Sequence, residues 1–325
     1  MSARRWGGST ATAVGVAAGV GAAQLGFAYG LGIIDWVPVD AGRTGSAWFA
    51  SLAWATWIAA VSTVLGAVCA QRLNERGDDG PAGGALRRAM LAVGGAAGSS
   101  LTVLLVAVPA RAATAPQTSS PQATAAGYAA VGVLLGLLAA LWALSVRAAA
   151  TNVIATVGWL WLLAVVSVVD GVLAGRGLNT AQLGIWQISA DRPGFWLRDY
   201  VYWPGALLAT GSALLIGALV ARRAARVAER RLGAAISGAA GPILVAVAYL
   251  LAVPRLASVT PAQVSAHLVA PYAVVVGAAG SVLVVALAQR AERRAAARQQ
   301  ATVPRQRTNE PPTGDPATTG GDTTT

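Results

Sequence analysis

Long apolar segments, separated by short polar ones, run along most of this chain. Their hydrophobic residues follow neither the period of an amphipathic helix nor the alternation of a half-buried strand, which indicates lipid surroundings. Because about 20 apolar residues cross the hydrocarbon layer as a helix, the pattern predicts an all-α integral membrane bundle of eight transmembrane helices. The predicted segments are 11–34, 47–70, 89–109, 124–146, 150–173, 203–221, 235–253 and 268–288.

Composition supports the membrane interpretation and argues against a soluble domain. The 325 residues are 55% hydrophobic and 11% charged, with a mean hydropathy of +0.58, whereas soluble domains carry about 25% charged residues. The first apolar run follows Arg4 and Arg5, is too long for the apolar part of a signal peptide and lacks a clear cleavage site. We therefore expect it to be retained as the first transmembrane helix.

The distribution of basic residues predicts the orientation of the bundle. All 24 basic residues are arginines, and if the N-terminus is inside, 18 fall in inside segments and 6 in outside segments. The positive-inside rule predicts such a bias, so both termini are expected in the cytoplasm and the protein in the plasma membrane. The predicted partners are the lipid bilayer and anionic lipids at the cytoplasmic arginines, and no nucleic acid.

Matching segments in the two halves of the sequence predict an internal repeat. Each half would hold four spans, so both copies would have the same orientation and form a 4+4 parallel repeat. The matches are RAMLAVGGAAG at 88–98 with RLGAAISGAAG at 231–241, LGAVCAQR at 65–72 with IGALVARR at 216–223, and Tyr128 with Tyr272. The predicted domains are the transmembrane halves 1–146 and 147–290 and a disordered cytoplasmic tail, 291–325.

Glycine pairs four residues apart predict where helices approach each other closely. Small residues at this spacing let two backbones come together in lipid, where no hydrophobic force drives helices into contact. The pairs are Gly15/Gly19, Gly26/Gly30, Gly94/Gly98, Gly132/Gly136 and Gly171/Gly175.

Polar and aromatic residues near the predicted outer face are candidates for a binding site. Segment 183–203 carries aromatic, Arg and Asp residues and is a candidate lid over a vestibule between the halves. Asp170 is the one acid within a predicted span, and an ionisable residue there is a functional hypothesis by default. The predicted vestibule residues are Asp170, Asp35, Gln24, Tyr29, Trp196, Arg198 and Asp199.

Structural interpretations of the same residues stay open. Aromatic residues at this depth commonly form the interfacial belt of a membrane protein. Asp170 fits a solvated helix end or a partner of Arg176, and Gln24 fits a hydrogen bond between helices.

Motifs of known catalytic chemistry are absent from the sequence. There is no Walker A loop, no G-x-S-x-G turn and no H-E-x-x-H pair. Cys69 and His267 are the only cysteine and the only histidine, which excludes an internal disulfide and the usual metal cluster. We therefore expect no catalytic residue, no metal and no cofactor, and we expect that the protein is not an enzyme.

The stretch from Tyr29 to Leu73 resembles uncharacterised multi-pass membrane proteins that are common in actinobacteria. The resemblance is carried by GLGIIDWVPVD at 30–40 and WFASLAWATWIAA at 48–60. The absence of lysine and the excess of Ala, Val and Gly are typical of such high-GC genomes. The resemblance covers a minority of the chain, and it implies a membrane location and no activity.

Two functions are compatible with these observations. The first is a transporter-like or lipid-handling protein with a polar vestibule on its outer side. The second is a non-catalytic membrane scaffold or an accessory subunit, with tightly packed halves and a membrane protein partner. No acid or base is predicted near the bilayer midplane, which argues against an ion-driven pump.

Overall fold

Nine α-helices and one two-stranded β-hairpin occur in the part of the chain that this computed structural model describes. The described residues are 2–38, 44–75, 84–115, 118–175, 177–178, 181–186, 192–252 and 260–302. The helices are α1 (Ser2–Gly30), α2 (Thr44–Glu75), α3 (Ala85–Ala110), α4 (Pro121–Ser145), α5 (Arg147–Leu173), α6 (Trp203–Ala225), α7 (Arg231–Ile236), α8 (Ala240–Ala252) and α9 (Pro261–Thr302). The antiparallel strands are β1 (Trp196–Leu197) and β2 (Val201–Tyr202).

Eight helical segments of the described chain are long and apolar enough to cross a membrane, which confirms the predicted number. Seven of them are single helices, and the seventh in chain order combines α7 and α8. The protein is therefore an all-α, multi-pass membrane protein. The eight segments are Gly8–Gly30, Gly45–Glu75, Ala85–Ala110, Pro121–Ser145, Arg147–Leu173, Trp203–Ala225, Ala228–Ala252 and Pro261–Gln299.

The seventh segment is interrupted near its middle, which the hydrophobic pattern did not predict. A short 3-10 turn, Ser237–Ala239, separates α7 from α8. Pro242 follows at the third position of α8, where it lacks the N–H of a regular helix and its ring would clash with the carbonyl four residues earlier. We call Ser237–Ala239 the helix break.

Side-chain hydrogen bonds show which helix ends lie together. The Tyr29 phenol at the end of α1 donates to the carbonyl of Leu105 near the end of α3 (3.1 Å). The Tyr128 phenol at the start of α4 donates to the carbonyl of Leu251 at the end of α8 (2.8 Å). These contacts join helices that run in the same direction in the first case and in opposite directions in the second, as an up-and-down bundle requires.

An ion pair joins the end of α2 to the start of α5. The Arg147 guanidinium at the start of α5 lies 2.9 Å from the Glu75 carboxylate at the end of α2. Gln71, one turn before Glu75, donates to the other oxygen of the same carboxylate (2.9 Å). The side chain of Arg147 is largely exposed, so this ion pair contributes at most about 1 kcal/mol.

Helix α2 is the central helix of the first four, and nearly all of its span is buried. Its Trp54 and Trp57 side chains are fully buried and meet edge to face, with ring centroids 5.4 Å apart. Trp161 of α5 packs against both rings, at centroid distances of 5.2 and 6.4 Å. This aromatic cluster fixes α5 against the first four helices.

Glycines of α3 and α4 lie at close backbone contacts, as predicted for Gly94/Gly98 and Gly132/Gly136. A β-carbon added at Gly98 would overlap the carbonyl oxygen of Val14 on α1, and one added at Gly132 would overlap that of Thr56 on α2. These helices can approach each other this closely only because the glycines lack side chains.

The glycine prediction is wrong for α1. A β-carbon added at Gly15, Gly19, Gly26 or Gly30 would meet no atom within 4 Å, since this face of α1 is turned away from the bundle. Gly175 likewise has open space around it, and its positive φ of 73° places it in a turn after α5 and not in a helix contact.

Residues Met1–Ala288 form one compact unit, and Gln289–Thr325 form a second. Helix α9 continues to Thr302, so residues 291–302 at the start of the predicted tail are helical, as their Ala, Arg and Gln content favours. The predicted disorder beyond residue 302 lies outside the described residues. So do Asp40, Arg43, Arg176, residues 187–191 of the predicted lid, and Pro254.

Candidate binding cavity

A loop between α5 and α6 lies inside the bundle, although the sequence placed it in an outside segment. Ala181, Leu183 and Ile185 of this loop are almost fully buried, at 3%, 1% and 5% exposure. We call Ala181–Ile185 the buried loop. Gly184 has a φ of 77°, which lets the chain turn back within this confined space.

Two buried aromatic side chains donate hydrogen bonds to carbonyl groups of the buried loop. The Trp54 indole of α2 donates to the Ala181 carbonyl oxygen at 2.8 Å, and the Tyr249 phenol of α8 donates to the Leu183 carbonyl oxygen at 2.7 Å. Irregular backbone at membrane depth is tolerated only where protein groups or water satisfy its polar atoms. These two donors therefore explain how the loop can lie inside the bundle.

The buried loop is one wall of a cavity between α5, α6, α8 and α9. The cavity has a volume of about 40 Å³, which is room for about three waters. Its lining is mostly aliphatic, with one indole and two hydroxyl groups. The lining residues are Thr156, Trp159, Leu160, Leu183, Gly184, Ile185, Ala209, Ser212, Ala213, Ile216, Pro242, Val245, Ala266, Val269, Ala270 and Ala273.

The cavity lies near mid-depth of the helices. Thr156 and Trp159 follow the start of α5 at Arg147 by nine and twelve residues, which places them about 14 and 18 Å along the helix at 1.5 Å per residue. None of the lining residues carries a charge. The cavity therefore suits a neutral, apolar molecule.

The helix break lies beside the cavity, and neighbouring helices satisfy its backbone. The Gly241 N–H donates to the Asn152 Oδ1 of α5 at 2.8 Å, and the Gly238 N–H donates to the Ser281 hydroxyl of α9 at 3.2 Å. The Ser281 hydroxyl in turn donates to the Ala235 carbonyl oxygen. The break is therefore a stable part of the fold, because each of these backbone groups has a partner.

Gln24 and Tyr29 of the predicted vestibule hold helices together. The Gln24 amide donates to the Ser62 hydroxyl of α2 (3.1 Å) and accepts from the Trp161 indole of α5 (2.9 Å). Tyr29 donates to α3 and accepts from the Trp36 indole (3.2 Å). Neither residue lines the cavity.

Asp35 and Asp170 of the predicted vestibule lie in a turn and at the end of a helix. The Asp35 carboxylate accepts from the Val37 N–H at 3.0 Å, and its own N–H donates to the Ser51 hydroxyl at 3.0 Å, so it orders the turn after α1. Asp170 lies in the last turn of α5 and is partly exposed. Neither carboxylate belongs to the cavity lining.

Trp196, Arg198 and Asp199, which lie in the segment predicted to form a lid, belong to the β-hairpin. Arg198 and Asp199 have positive φ angles of 49° and 60° and form the exposed turn between β1 and β2. The Trp196 ring packs on Tyr202 of β2, with centroids 5.5 Å apart. The structure thus does not bring the predicted vestibule residues together in one cavity.

The sequence did not point to the cavity residues, because most of them are Ala, Val, Leu and Ile. The run AQLGIW at 181–186 is apolar within a segment assigned to the outside, and this was the available signal for the buried loop. Among the described residues, no group of three His, Cys, Asp or Glu side chains could hold a metal ion.

Comparisons with protein-family models, with curated proteins and with solved structures give no match to this chain.

Proposed function

We propose that this membrane protein binds a lipid-like molecule within its transmembrane region and acts in lipid handling or transport. The observation that carries the proposal is the uncharged cavity at mid-depth, enclosed by four helical elements and the buried loop. Binding there needs no catalytic group, and we propose binding and not catalysis. The cavity's apolar lining with few polar groups is typical of small-molecule sites, and its volume of about 40 Å³ admits only part of a lipid-like molecule.

The interrupted seventh segment supports a binding function. In many membrane transporters, helices broken near mid-membrane form the substrate site, because irregular backbone is kept where it lines a cavity. Here Pro242, just after the helix break, is itself a lining residue. The break and the cavity are thus parts of one site.

The proposed orientation has both termini in the cytoplasm of the cell that carries the protein in its plasma membrane. Exposed arginines occur where α6 ends and α7 begins, and the hairpin lies at the other end of α6, which supports this orientation. This arginine group would contact anionic lipid head groups. Its exposed members are Arg222, Arg223, Arg226 and Arg230.

The 4+4 repeat is part of the proposal, and matched glycine contacts support it. Gly98 of α3 packs on the backbone of α1, and its sequence match Gly241 packs on Thr156 of α5. Gly136 of α4 packs on α2, and its match Gly280 of α9 packs on α6. The proposed pairs are thus α1 with α5, α2 with α6, and α4 with α9. The helix break is where the two halves differ, since α3 is continuous.

A scaffold or accessory subunit is the second candidate function. It is favoured by the close packing of the first four helices, in which α2 is almost entirely buried and glycines replace side chains at the contacts. Close packing of this kind favours a rigid unit. The scaffold function predicts that a membrane protein partner copurifies with the chain. We also propose that the chain is related to multi-pass membrane proteins of actinobacteria.

The test is purification from native membranes in mild detergent, followed by mass spectrometry of the lipids and proteins that copurify. Ala213 is buried in the cavity wall, and Ala130 is exposed on α4, so Ala213→Phe fills the cavity and Ala130→Phe is the matched control. We expect one lipid class to be enriched with the native protein and the control, and to be lost from Ala213→Phe. Ala273→Leu is a milder filling variant if Ala213→Phe does not fold.

Two results would overturn the lipid-binding proposal. One is a native protein that carries no enriched lipid. The other is enrichment that is unchanged in both filling variants, since the lipid would then bind elsewhere. A near-stoichiometric protein partner without an enriched lipid would favour the scaffold function.

A further inference from the structure

The β-hairpin lies at the level where α6 enters the membrane. Tyr202, the last residue of β2, is followed directly by Trp203, the first residue of α6. Near the other end of α6, Arg222 is exposed, and an exposed guanidinium is stable only outside the hydrocarbon layer. Trp203 and Arg222 are 19 positions apart, which is about 28 Å of helix at 1.5 Å per residue. Since the hydrocarbon layer is about 30 Å thick, Trp203 falls at its opposite boundary.

Contacts with α6 and α9 fix the base of the hairpin at this level. The Tyr202 N–H donates to the hydroxyl group of Ser265, one turn into α9, at 3.0 Å. The ring of Phe195, just before β1, packs edge to face against the ring of Trp203, with centroids 5.8 Å apart. The hairpin is therefore held beside the start of α6.

The hairpin is too short to extend far beyond the lipid head groups. Each strand has two residues, and at about 3.3 Å per residue the turn lies within about 10 Å of the base. The head groups add about 5–8 Å to each side of the hydrocarbon layer. Leu197, which pairs with Val201, therefore lies at the depth of the head groups, and the turn of Arg198 and Asp199 lies near their outer edge.

The exposed side chains of the hairpin suit this depth. Leu197 and Tyr200 flank the turn and are 58% and 62% exposed, and Trp203 is 39% exposed. Tyrosine and tryptophan rings, which are apolar with one polar group, are enriched at membrane interfaces, and an exposed leucine side chain gains free energy when it leaves water. Arg198 is also exposed, and a guanidinium group matches the geometry of phosphate oxygens.

We propose that the β-hairpin is an interfacial anchor, which inserts Leu197 and Tyr200 among the lipid head groups and places Arg198 on a phosphate group. The partner is the bilayer around the protein, because the lipid-facing surface of α6 continues into the hairpin: Trp203 and Leu207 are one turn apart and both are exposed. The anchor holds this end of α6 at a fixed depth in the membrane. It is independent of the cavity and of the proposed lipid-binding function.

Fluorescence of a single label on the full chain in lipid nanodiscs measures the depth of the hairpin. In a Cys69→Ala background, which has no cysteine, Leu197→Cys or Tyr200→Cys carries an environment-sensitive nitrobenzoxadiazole label. The nanodiscs contain phosphatidylcholine and phosphatidylglycerol, with a nitroxide quencher either on the head group or near the end of the acyl chain. We expect both labels to emit at shorter wavelength than the free label in water. The head-group nitroxide should quench them more strongly than the chain-end nitroxide.

Leu215→Cys is the matched control for these labels. Leu215 is 61% exposed and lies 12 residues after Trp203, which is about 18 Å along α6. The chain-end nitroxide should therefore quench its label more strongly than the head-group nitroxide.

Three fluorescence results would overturn the anchor. Quenching of the hairpin labels by soluble iodide and by neither nitroxide would place the hairpin in water. Quenching by none of the three would mean that protein covers the hairpin. Stronger quenching by the chain-end nitroxide would place it in the hydrocarbon layer.

Limited proteolysis in the same nanodiscs tests the two side chains without a label. Trypsin cleaves after arginine, and the rate of cleavage after Arg198 reports how often the turn leaves the membrane surface. The double variant Leu197→Ser with Tyr200→Ser should raise this rate several-fold, whereas cleavage after Arg226, which is exposed beyond α6, is the internal control and should not change. An unchanged rate after Arg198 would show that Leu197 and Tyr200 do not hold the hairpin in the membrane, and would overturn the proposal.

Discussion

The phenol oxygen of Tyr249 on α8 lies 2.7 Å from the carbonyl oxygen of Leu183 in the buried loop, and this hydrogen bond joins residues that are 66 positions apart in the sequence. Tyr249 is fully buried, at 2% exposure, and Leu183 lines the cavity. The contact therefore closes one wall of the proposed binding site and also satisfies backbone within the bundle.

Tyr249→Phe should lower the free energy of unfolding by about 1–3 kcal/mol, because it leaves the Leu183 carbonyl buried without a donor. Thermal or denaturant unfolding of the purified protein measures the change. Tyr272→Phe is the matched control, since the Tyr272 side chain is 65% exposed on α9. Equal stability of the two variants would show that the buried loop does not depend on this bond.

Glycine substitutions should have opposite effects on α3 and α1. Gly98→Ala forces a methyl group against the Val14 carbonyl of α1 and should destabilise the protein by about 1–3 kcal/mol. Gly15→Ala places the methyl group in open space and should stabilise the protein by up to about 1 kcal/mol, through helix propensity. Thermal unfolding of both variants tests this, and a loss of stability in Gly15→Ala would contradict the outward position of that face.

Asn152→Leu should destabilise the helix break. The substitution keeps the size of the side chain and removes the acceptor of the Gly241 N–H, which costs about 1–3 kcal/mol in a buried setting. Hydrogen exchange of residues 237–242 should accelerate in this variant. Ser100→Ala is the control, because the exposed Ser100 hydroxyl only bonds within α3. Unchanged exchange in Asn152→Leu would mean that the break is held by other contacts.

Chemical labelling of introduced cysteines tests the proposed orientation of the bundle. Cys69 is the only cysteine, so Cys69→Ala gives a background without thiols. In intact cells, a membrane-impermeant maleimide should label Asp199→Cys in the hairpin turn and should not label Arg226→Cys after α6, both positions being exposed. Permeabilised cells should show both labels. Labelling in the reverse pattern would invert the proposed topology.

The hydrophobic pattern predicted the number of membrane-crossing segments because that number depends on length and apolarity alone. It did not predict the helix break, since Gly238 and Pro242 are residue types that continuous membrane helices also contain. Whether such residues interrupt a helix depends on partners such as Asn152 and Ser281, which come from distant parts of the chain.

The candidate site was harder to predict than the fold. Gln24 and Tyr29 were predicted as site residues because they are polar residues in an apolar helix. In the structure, their side chains form hydrogen bonds to neighbouring helices. The cavity is instead defined by residues such as Ala213 and Ala270, whose small size leaves space that no sequence pattern reveals.

The position of the buried loop has a consequence for how the chain is assembled during translation. Its two donors, Trp54 and Tyr249, are synthesised far apart in time, one well before the loop and one well after it. When residues 181–185 leave the ribosome, α8 has not yet been synthesised, so only the first of the two donors, Trp54, is then present in the chain. A chain that stops before α8 therefore lacks the donor of the Leu183 carbonyl group, and this wall of the cavity is completed only when the seventh segment has been synthesised.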